Sequence, residues 1–336
     1  MELPLIQAPM AGVQGSALPL AVAQAGALGS LPCALLSMEQ MRSELTAISA
    51  ATQRPFNVNF FCHTPPAPDA ARESTWRAAL QPYYAELGVM DANSAPPPRR
   101  PFDASAAEVL EAFRPAVVSF HFGLPSTGLL QRVRARGAKI VSSATTVAEA
   151  LWLEARGVDA IIAQGLEAGG HRGHFLSDDL SEQCGTFALL PQIVRAVRVP
   201  VIAAGGIVDR ASVAAAFALG AAGVQIGTAY LLCEESMTSA VHRAVLTSEA
   251  SQHTALTNLF TGRAARGIVN RLMRDLGSWS QLAPEFPLAA GPLAPLRAHA
   301  EAAGRGDFSP LWAGQNVTGC KKMPAGELTR ELMQLT

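Results

Sequence analysis

The segment VIAAGGIVDRASVAAAFALGAAGVQIGT, residues 201–228, contains two short apolar runs, each followed by glycine. The apolar runs are residues 201–204 and 223–226, and residues 210–219 between them carry apolar side chains at spacings of three and four. This alternation is typical of β/α units, in which helices join parallel strands. The same alternation extends backwards from this segment to the start of the chain.

Eight apolar runs have the length of buried strands. They are residues 3–7, 27–31, 56–60, 117–122, 139–142, 160–164, 201–204 and 223–226. Eight such units predict an α/β fold, a closed (β/α)8 TIM barrel, rather than an open sheet.

Two regions interrupt the alternation. Residues 64–101 are rich in proline and include the run Pro96 to Pro98, which predicts an insertion that is neither helix nor central strand at that point. From about residue 233 the pattern becomes helical and then irregular. We therefore predict that residues 1–63 and 102–232 form the barrel, and that residues 64–101 and 233–336 form a second, smaller, mainly helical lobe.

Composition narrows the class of ligand. Of 336 residues, 49% are hydrophobic and 16% charged, which excludes a disordered chain. The net charge is −1 without a basic patch, so nucleic acids and membranes are poor partners and a small molecule is expected. The five scattered cysteines and the lack of a secretory start predict reduced thiols and a cytoplasmic location. Residues 211–233 are long enough to span a bilayer, but their glycines predict barrel interior.

Unusual residues follow the first and third strands. Ala8, Pro9 and Met10 come directly after the first strand, where small side chains leave room for a planar group. Asn57 and Asn59 share one face of the third strand, because side chains alternate with period two. An inward amide needs a partner, which is either a ligand or a core hydrogen bond.

The sixth strand runs into a glycine-rich loop, QGLEAGGHRG, residues 164–173. Gln164 ends the strand, and Gly169 and Gly170 allow the backbone to approach a flat or anionic ligand. His171 is the side chain in this loop that could exchange a proton near neutral pH. We therefore predict that His171 is the catalytic residue.

Two further histidines have competing interpretations. His121, at the end of the fourth strand, either reaches the substrate or is a hydrogen-bonded core residue. His174 with Glu167 or Asp178 suggests a metal site, but no further ligand has suitable spacing, and we predict no metal.

The seventh and eighth strands predict an anion site. Each ends in glycine, within AAGGI (203–207) and QIGT (225–228), and each leads into an expected helix whose free N–H groups favour an anion. Barrels commonly hold a phosphate after these two strands. The slot suits flavin mononucleotide (FMN), although spacing alone does not separate FMN from a sugar phosphate. Neither a G-x-G-x-x-G after a strand nor a P-loop is present.

Taken together, these stretches resemble the nitronate monooxygenase family, formerly called 2-nitropropane dioxygenases. The resemblance is carried by QAPM (7–10), PFNVN (55–59), AQGLEAGGHRG (163–173), AAGGI (203–207) and QIGT (225–228), and it continues into FTGR (260–263) and LWAGQ (311–315). It implies that His171 faces the reactive edge of the isoalloxazine ring. The predicted cofactor contacts are Ala8, Pro9, Met10, Asn59, Gln164, Gly169, Gly170, Gly205, Gly206, Gln225, Ile226, Gly227 and Thr228. The predicted substrate contacts are His121 and Gln315.

The resemblance also implies the chemistry. FMN would oxidise an alkyl nitronate by one electron, and reaction with O2 would give a carbonyl compound and nitrite without reduced nicotinamide. His171, with a pKa expected near neutrality, would bind the nitro group and remove the α-proton of a neutral nitroalkane. A homodimer is compatible with the sequence.

Three alternatives stay open. An FMN-dependent enoyl-acyl-carrier-protein reductase or an NAD(P)H:quinone reductase shares the glycine-histidine loop, but the reductase carries Glu where this chain has Gln164. A flavin-free barrel isomerase acting on a sugar phosphate could use His171 as a base, whereas a Schiff-base enzyme would need a strand-end lysine, and Lys139 begins its strand. The third alternative is a flavin-binding protein without turnover.

Overall fold

The computed structural model describes residues 2–67, 69–90 and 99–334. The described strands are β1 (Leu5–Gln7), β2 (Gly29–Pro32), β3 (Phe56–Phe61), β4 (Val117–His121), β5 (Lys139–Ala144), β6 (Ala160–Gln164), β7 (Gly170–His171), β8 (Val201–Ala204), β9 (Gly223–Ile226), β10 (Thr254–Thr257) and β11 (Ala265–Ile268). The described α-helices are α1 (Ala17–Gln24), α2 (Met38–Ala51), α3 (Ala70–Leu87), α4 (Ala104–Phe113), α5 (Thr127–Arg134), α6 (Val147–Ala155), α7 (Thr186–Ala196), α8 (Arg210–Ala218), α9 (Ala240–Leu246), α10 (Arg271–Leu276), α11 (Ala290–Ala302) and α12 (Ala325–Leu332). All eight predicted strands form, each within two residues of its predicted bounds.

The eight strands form one parallel sheet that closes on itself. Their order is β1-β9-β8-β6-β5-β4-β3-β2. The two edge strands then meet, since Ile6 and Leu28 form a parallel bridge and the Gln7 N–H donates to the Leu28 carbonyl at 2.9 Å. The predicted TIM barrel is confirmed.

The barrel has two apolar layers because side chains alternate along each strand. In β6, Ile161 belongs to the cluster that packs the strands against the helices. Its neighbour Ile162 belongs to a separate cluster with Ile6, Val141 and Ile202 from other strands, which fills the interior. Strands buried on both faces read as continuous apolar runs, which is why they were recognisable in the sequence.

A second apolar cluster joins the insertion to the C-terminal region. Helix α3 from the insertion buries Trp76 and Leu80 against Leu293 and Leu296 of α11. The Trp76 indole donates to the Ala289 carbonyl at 3.1 Å. The insertion was predicted to belong to a mainly helical lobe, although helix α3 was not predicted as a separate element. The run Pro96 to Pro98 lies outside the described residues.

The region around this cluster is not only helical. Strands β10, β11 and β7 form a three-stranded antiparallel sheet, in which Ala265 pairs with His171 and Arg266 with Gly170. This sheet ties the glycine-histidine loop of the barrel to the C-terminal region. It was missed because a strand of two residues has no detectable period.

The last helix returns to the barrel. Helix α12 lies in the range predicted to belong to the lobe, but Leu328 and Leu332 join the barrel core. The Tyr230 hydroxyl and Thr329 Oγ1 are 2.8 Å apart. The division into two domains stays a prediction. Residues 211–233 divide among α8, β9 and a short 3-10 helix (Thr228–Leu232), and within the described ranges no helix is long and apolar enough to cross a membrane.

Candidate active site

A cavity lies at the carboxyl ends of the barrel strands, where ligands bind in this fold. Ile226 does not line the cavity but packs in the barrel core. Gln315 does not line it either: its side chain is exposed, and its backbone N–H donates to the Glu167 carbonyl at 2.9 Å. The other predicted site residues all line it, namely Ala8, Pro9, Met10, Asn59, His121, Gln164, Gly169, Gly170, His171, Gly205, Gly206, Gln225, Gly227 and Thr228.

One end of the cavity is formed by a bare backbone turn after β8. Gly205 and Gly206 have φ angles of +116° and +73°, a region that favours glycine. A Cβ atom on Gly205 would lie 2.8 Å from Thr186 Oγ1. Among the described residues the N–H groups of both glycines lack an acceptor, so they are available to an anion.

Helix α8 itself does not provide the anion site, contrary to our expectation. Its first turn is closed by a capping box, in which Asp209 accepts from the Ser212 N–H at 2.8 Å and Ser212 Oγ accepts from the Asp209 N–H at 3.1 Å. The helix end is therefore satisfied by its own side chains. The free donors belong to the glycine turn that precedes it.

The loop after β9 closes the same end. Thr228 Oγ1 accepts from the Gly314 N–H at 3.0 Å, which leaves its hydroxyl proton free to donate. A Cβ atom on Gly227 would lie 3.3 Å from that of Ala8. Gln225 Oε1 is buried and has no hydrogen-bond partner within the described ranges. An orphaned buried acceptor beside free donors fits a polar ligand that supplies both kinds of partner.

The amides of β3 take different roles. Asn57 lies deeper and donates to Ser30 Oγ and Ser119 Oγ at 3.0 and 2.9 Å. Asn59 lines the cavity and donates to Ser119 Oγ at 3.0 Å, which leaves its carbonyl oxygen for a ligand. Core hydrogen bonding therefore explains the amide nitrogen of Asn57, whereas its buried Oδ1 has no partner among the described residues.

Gln164 clamps the glycine-histidine loop with both ends of its amide. Its Nε2 donates to the His171 carbonyl at 3.0 Å, and its Oε1 accepts from the Gly173 N–H at 2.7 Å. An ionised glutamate could accept from Gly173 but could not donate to His171. The hydrogen-bond pattern therefore suits an amide better than an ionised carboxylate at this position.

The imidazole of His171 lies among aromatic rings. Its ring centroid is 5.2 Å from Phe286 and 5.5 Å from Trp312. Its Nε2 is 2.9 Å from Thr261 Oγ1, which in turn lies 3.5 Å from the Arg263 carbonyl. If Thr261 donates to that carbonyl, it accepts from His171 Nε2–H and leaves Nδ1 as a proton acceptor.

The charge state of His171 differs from the expectation. Burial, followed by the positive charge of Arg99, lowers the pKa of His171 well below its ordinary value of 6.5. The ring is therefore neutral at physiological pH. A neutral ring with a free lone pair is a weak base and a poor partner for an anion.

His121 positions the loop. Its Nδ1 is 3.0 Å from Ser143 Oγ, and its Nε2 is 3.2 Å from the His171 carbonyl. Burial lowers the pKa of His121 to about 3. Both ring nitrogens are occupied, so the predicted substrate contact has no free polar atom to make it.

No three His, Cys, Asp or Glu side chains are grouped to hold a metal ion in the part of the chain that the structure describes. Glu167 instead accepts from the Thr186 N–H and hydroxyl at 2.8 and 2.9 Å. His174 Nε2 lies 3.4 Å from Asp178.

Several residues near His171 were not predicted from the sequence. Arg99, His242 and Trp312 line the cavity, and Phe286 packs on His171. The sequence placed Arg99 in the proline-rich insertion without a role. Trp312 lies within the LWAGQ stretch of the family resemblance, but no role was predicted for it. His242 and Phe286 lie outside every stretch that carries the resemblance and follow no local pattern, so no sequence signal could have found them.

Known proteins resemble this chain over almost its whole length. The nitronate monooxygenase family model matches residues 1–334. A nitronate monooxygenase from Paraburkholderia phytofirmans is 41% identical, covering 99% of this chain and 92% of the relative. A nitronate monooxygenase from Pseudomonas aeruginosa is 40% identical, covering 99% of this chain and 96% of the relative.

Two solved structures extend the comparison. Nitroalkane oxidase from Streptomyces ansochromogenes superposes with a TM-score of 0.89 at 38% identity, covering 98% of this chain and 94% of the other. FabK from Thermotoga maritima superposes with a TM-score of 0.73 at 26% identity, covering 99% of this chain and 92% of the other. On the match of the family model and the curated relatives, the chain belongs to the nitronate monooxygenase family.

Proposed function

We propose that this protein is an FMN-dependent enzyme that oxidises alkyl nitronates with O2 to carbonyl compounds and nitrite. The observation that carries the proposal is one cavity lined both by backbone donors that are unpaired among the described residues and by a half-buried, neutral imidazole. The relatives named nitronate monooxygenase support the choice of substrate.

The residues at the glycine turn fit the cofactor. The free N–H groups of Gly205 and Gly206 and the hydroxyl of Thr228 would hold the phosphate. The orphaned Oε1 of Gln225 would accept from a hydroxyl or ring N–H of the cofactor. FMN, when bound, supplies the one-electron oxidation of the nitronate.

The protein side of the reaction is orientation and exclusion of water. Phe61, Phe286 and Trp312 surround the imidazole and make this end apolar. His171 Nδ1, as a lone-pair acceptor, would take the α-proton of a neutral nitroalkane. Because burial lowers the pKa of His171, that proton transfer is weakly driven, and a preformed nitronate is the better substrate.

The role of Gln164 supports this reading over a reductase. The Gln164 amide makes one hydrogen bond as donor and one as acceptor. The enoyl-acyl-carrier-protein reductase, the alternative considered above, carries Glu at this position. The 38% sequence identity to the nitroalkane oxidase points the same way.

The test is a visible spectrum of the purified protein without oxygen. We expect a yellow protein. Its visible flavin absorbance should fall when ethylnitronate is added and should persist when NAD(P)H is added. Admission of O2 should restore the colour and release nitrite. Bleaching by NAD(P)H alone would favour the reductase, and a colourless protein that FMN cannot reconstitute would favour the flavin-free isomerase.

We also propose a cytoplasmic location and a homodimer as the assembly to test. The five cysteines are free thiols, which suits a reducing compartment. Cell fractionation and analytical ultracentrifugation test the two statements separately.

A further inference from the structure

Arg99 enters the cavity from a fixed point at the end of β3. Phe61 and Pro101 form a parallel bridge, and the Phe102 N–H donates to the Phe61 carbonyl at 2.8 Å. Arg99 lies two residues before this anchor and lines the cavity. Its Cζ atom lies 5.7 Å from the ring centroid of Phe286, the ring that packs on His171.

Among the residues that the structure describes, no carboxylate is paired with the guanidinium of Arg99. Its Nη1 is buried and has no hydrogen-bond partner among the residues described, and no described carboxylate forms an ion pair with it. The adjacent Arg100 is different, since it is exposed and lies 3.9 Å from Asp103. Burial lowers the pKa of Arg99 to about 10, so it stays charged at neutral pH. Arg99 as a whole is half-buried, and a cation with a buried, unpartnered donor is costly unless a ligand provides the opposite charge.

The groups facing this cation do not neutralise it. His63 and His171 are both uncharged, because burial lowers their pKa values. Arg263, the other nearby cation, is already engaged: it lies over the Phe122 ring at 4.2 Å and donates to the His174 carbonyl. Arg297 adds further positive charge. The end of the cavity beside His171 is therefore positive. Arg263 Nε and Arg99 Nη1 both lack a partner among the described residues, but of the two arginines only Arg99 lines the cavity.

We propose that Arg99 pairs with the negative charge of the nitronate and is the residue that selects the anionic nitronate over the neutral nitroalkane. The inference rests on the proposed function and deepens it. It gives Arg99 the electrostatic role that a neutral His171 cannot fill, and it assigns a purpose to the insertion after β3.

The test compares Arg99→Met with Arg99→Lys and the matched control Arg100→Met. For ethylnitronate we expect kcat/KM of Arg99→Met to fall by about 10- to 100-fold, the value of a hydrogen bond to a charged group. For nitroethane we expect little change. Arg99→Lys should recover part of the loss, and Arg100→Met should behave as wild type.

A second measurement needs neither substrate nor turnover. Nitrate resembles the nitronate group, because both are planar anions with oxygen atoms on nitrogen. At constant ionic strength nitrate should therefore raise the Tm of wild type and of Arg99→Lys but not that of Arg99→Met. Without nitrate, Arg99→Met should melt at or above the wild-type Tm, because an unpaired buried cation has been removed.

The outcomes separate the two proposals. If wild type neither binds flavin nor oxidises ethylnitronate, the proposed function fails. If wild type is active and Arg99→Met keeps its nitronate preference, or loses both substrates equally, the role of Arg99 is wrong. A Tm of Arg99→Met several degrees below wild type without nitrate would make Arg99 a structural residue and overturn the inference.

Discussion

Three buried histidines predict that the stability of this protein falls in mild acid. His63, His174 and His242 are 8%, 4% and 5% exposed. Burial, with smaller effects of nearby arginines, lowers the pKa of each from 6.5 to about 4. The folded protein therefore excludes protons that the unfolded chain binds.

The direction and size of the effect follow from linkage. A lowered histidine pKa means that stability is fully present above pH 6.5 and is lost as pH falls from there towards 4. At pH 5 each of the three sites has lost about 2 kcal/mol, so together they remove about 6 kcal/mol of the free energy of unfolding. Typical domains have only about 5–15 kcal/mol in total.

Urea unfolding followed by circular dichroism between pH 7.5 and 5 measures this loss. At pH 5.5 each buried histidine should contribute about 0.9 proton taken up on unfolding. His242→Gln should lower the total uptake by about that amount, whereas the control His253→Gln, at an exposed position, should leave it unchanged. A free energy of unfolding that stays flat from pH 7 to pH 5, or a His242→Gln slope equal to wild type, would refute the reasoning.

Three further predictions concern the site. His171→Asn removes the proton-accepting ring nitrogen, so kcat with nitroethane should fall by about 100- to 10,000-fold while the flavin spectrum persists; loss of colour would give His171 a binding role instead. Gly206→Val places a β-branched side chain at a φ of +73°, so the ratio of flavin to protein absorbance should drop, and full retention of flavin would contradict the phosphate cradle. Gln164→Glu keeps the acceptor for Gly173 but loses one hydrogen bond, so calorimetry should show a Tm lower by about 2–4 °C, and an unchanged Tm would argue against the clamp.

The barrel was predictable because its strands are local features. Residues 160–164, AIIAQ, are buried on both faces and therefore read as one apolar run, and the bounds of β6 match the prediction. The small sheet was not predictable, because β7 has two residues and its pairing with β11 joins positions about 95 apart in sequence.

The part of the site that is formed by backbone groups was predictable from the sequence. The pair Gly205 and Gly206 directly after a strand signals a turn with exposed N–H groups, and both residues line the cavity. One local signal was overlooked: Asp209 and Ser212 have the spacing of a capping box, which satisfies the helix end that we had assigned to the anion. Arg99 reaches the cavity beside the Phe61–Pro101 bridge, and its contact with Phe286 joins positions that no local pattern relates.

The charge of His171 was the least predictable property and changes the chemistry most. A histidine in a loop has a pKa near neutrality, but closure of Phe286 and Trp312 over the ring removes water and favours the uncharged form. An uncharged ring cannot balance a nitronate, and a protonated ring beside Arg99 would meet a like charge. We therefore propose that the two roles expected of His171 are divided: the imidazole would accept or position a proton, and the guanidinium would supply the positive charge. Because Arg99 comes from the insertion while His171 comes from a barrel loop, changes in the insertion can alter substrate charge preference without disturbing the cofactor site.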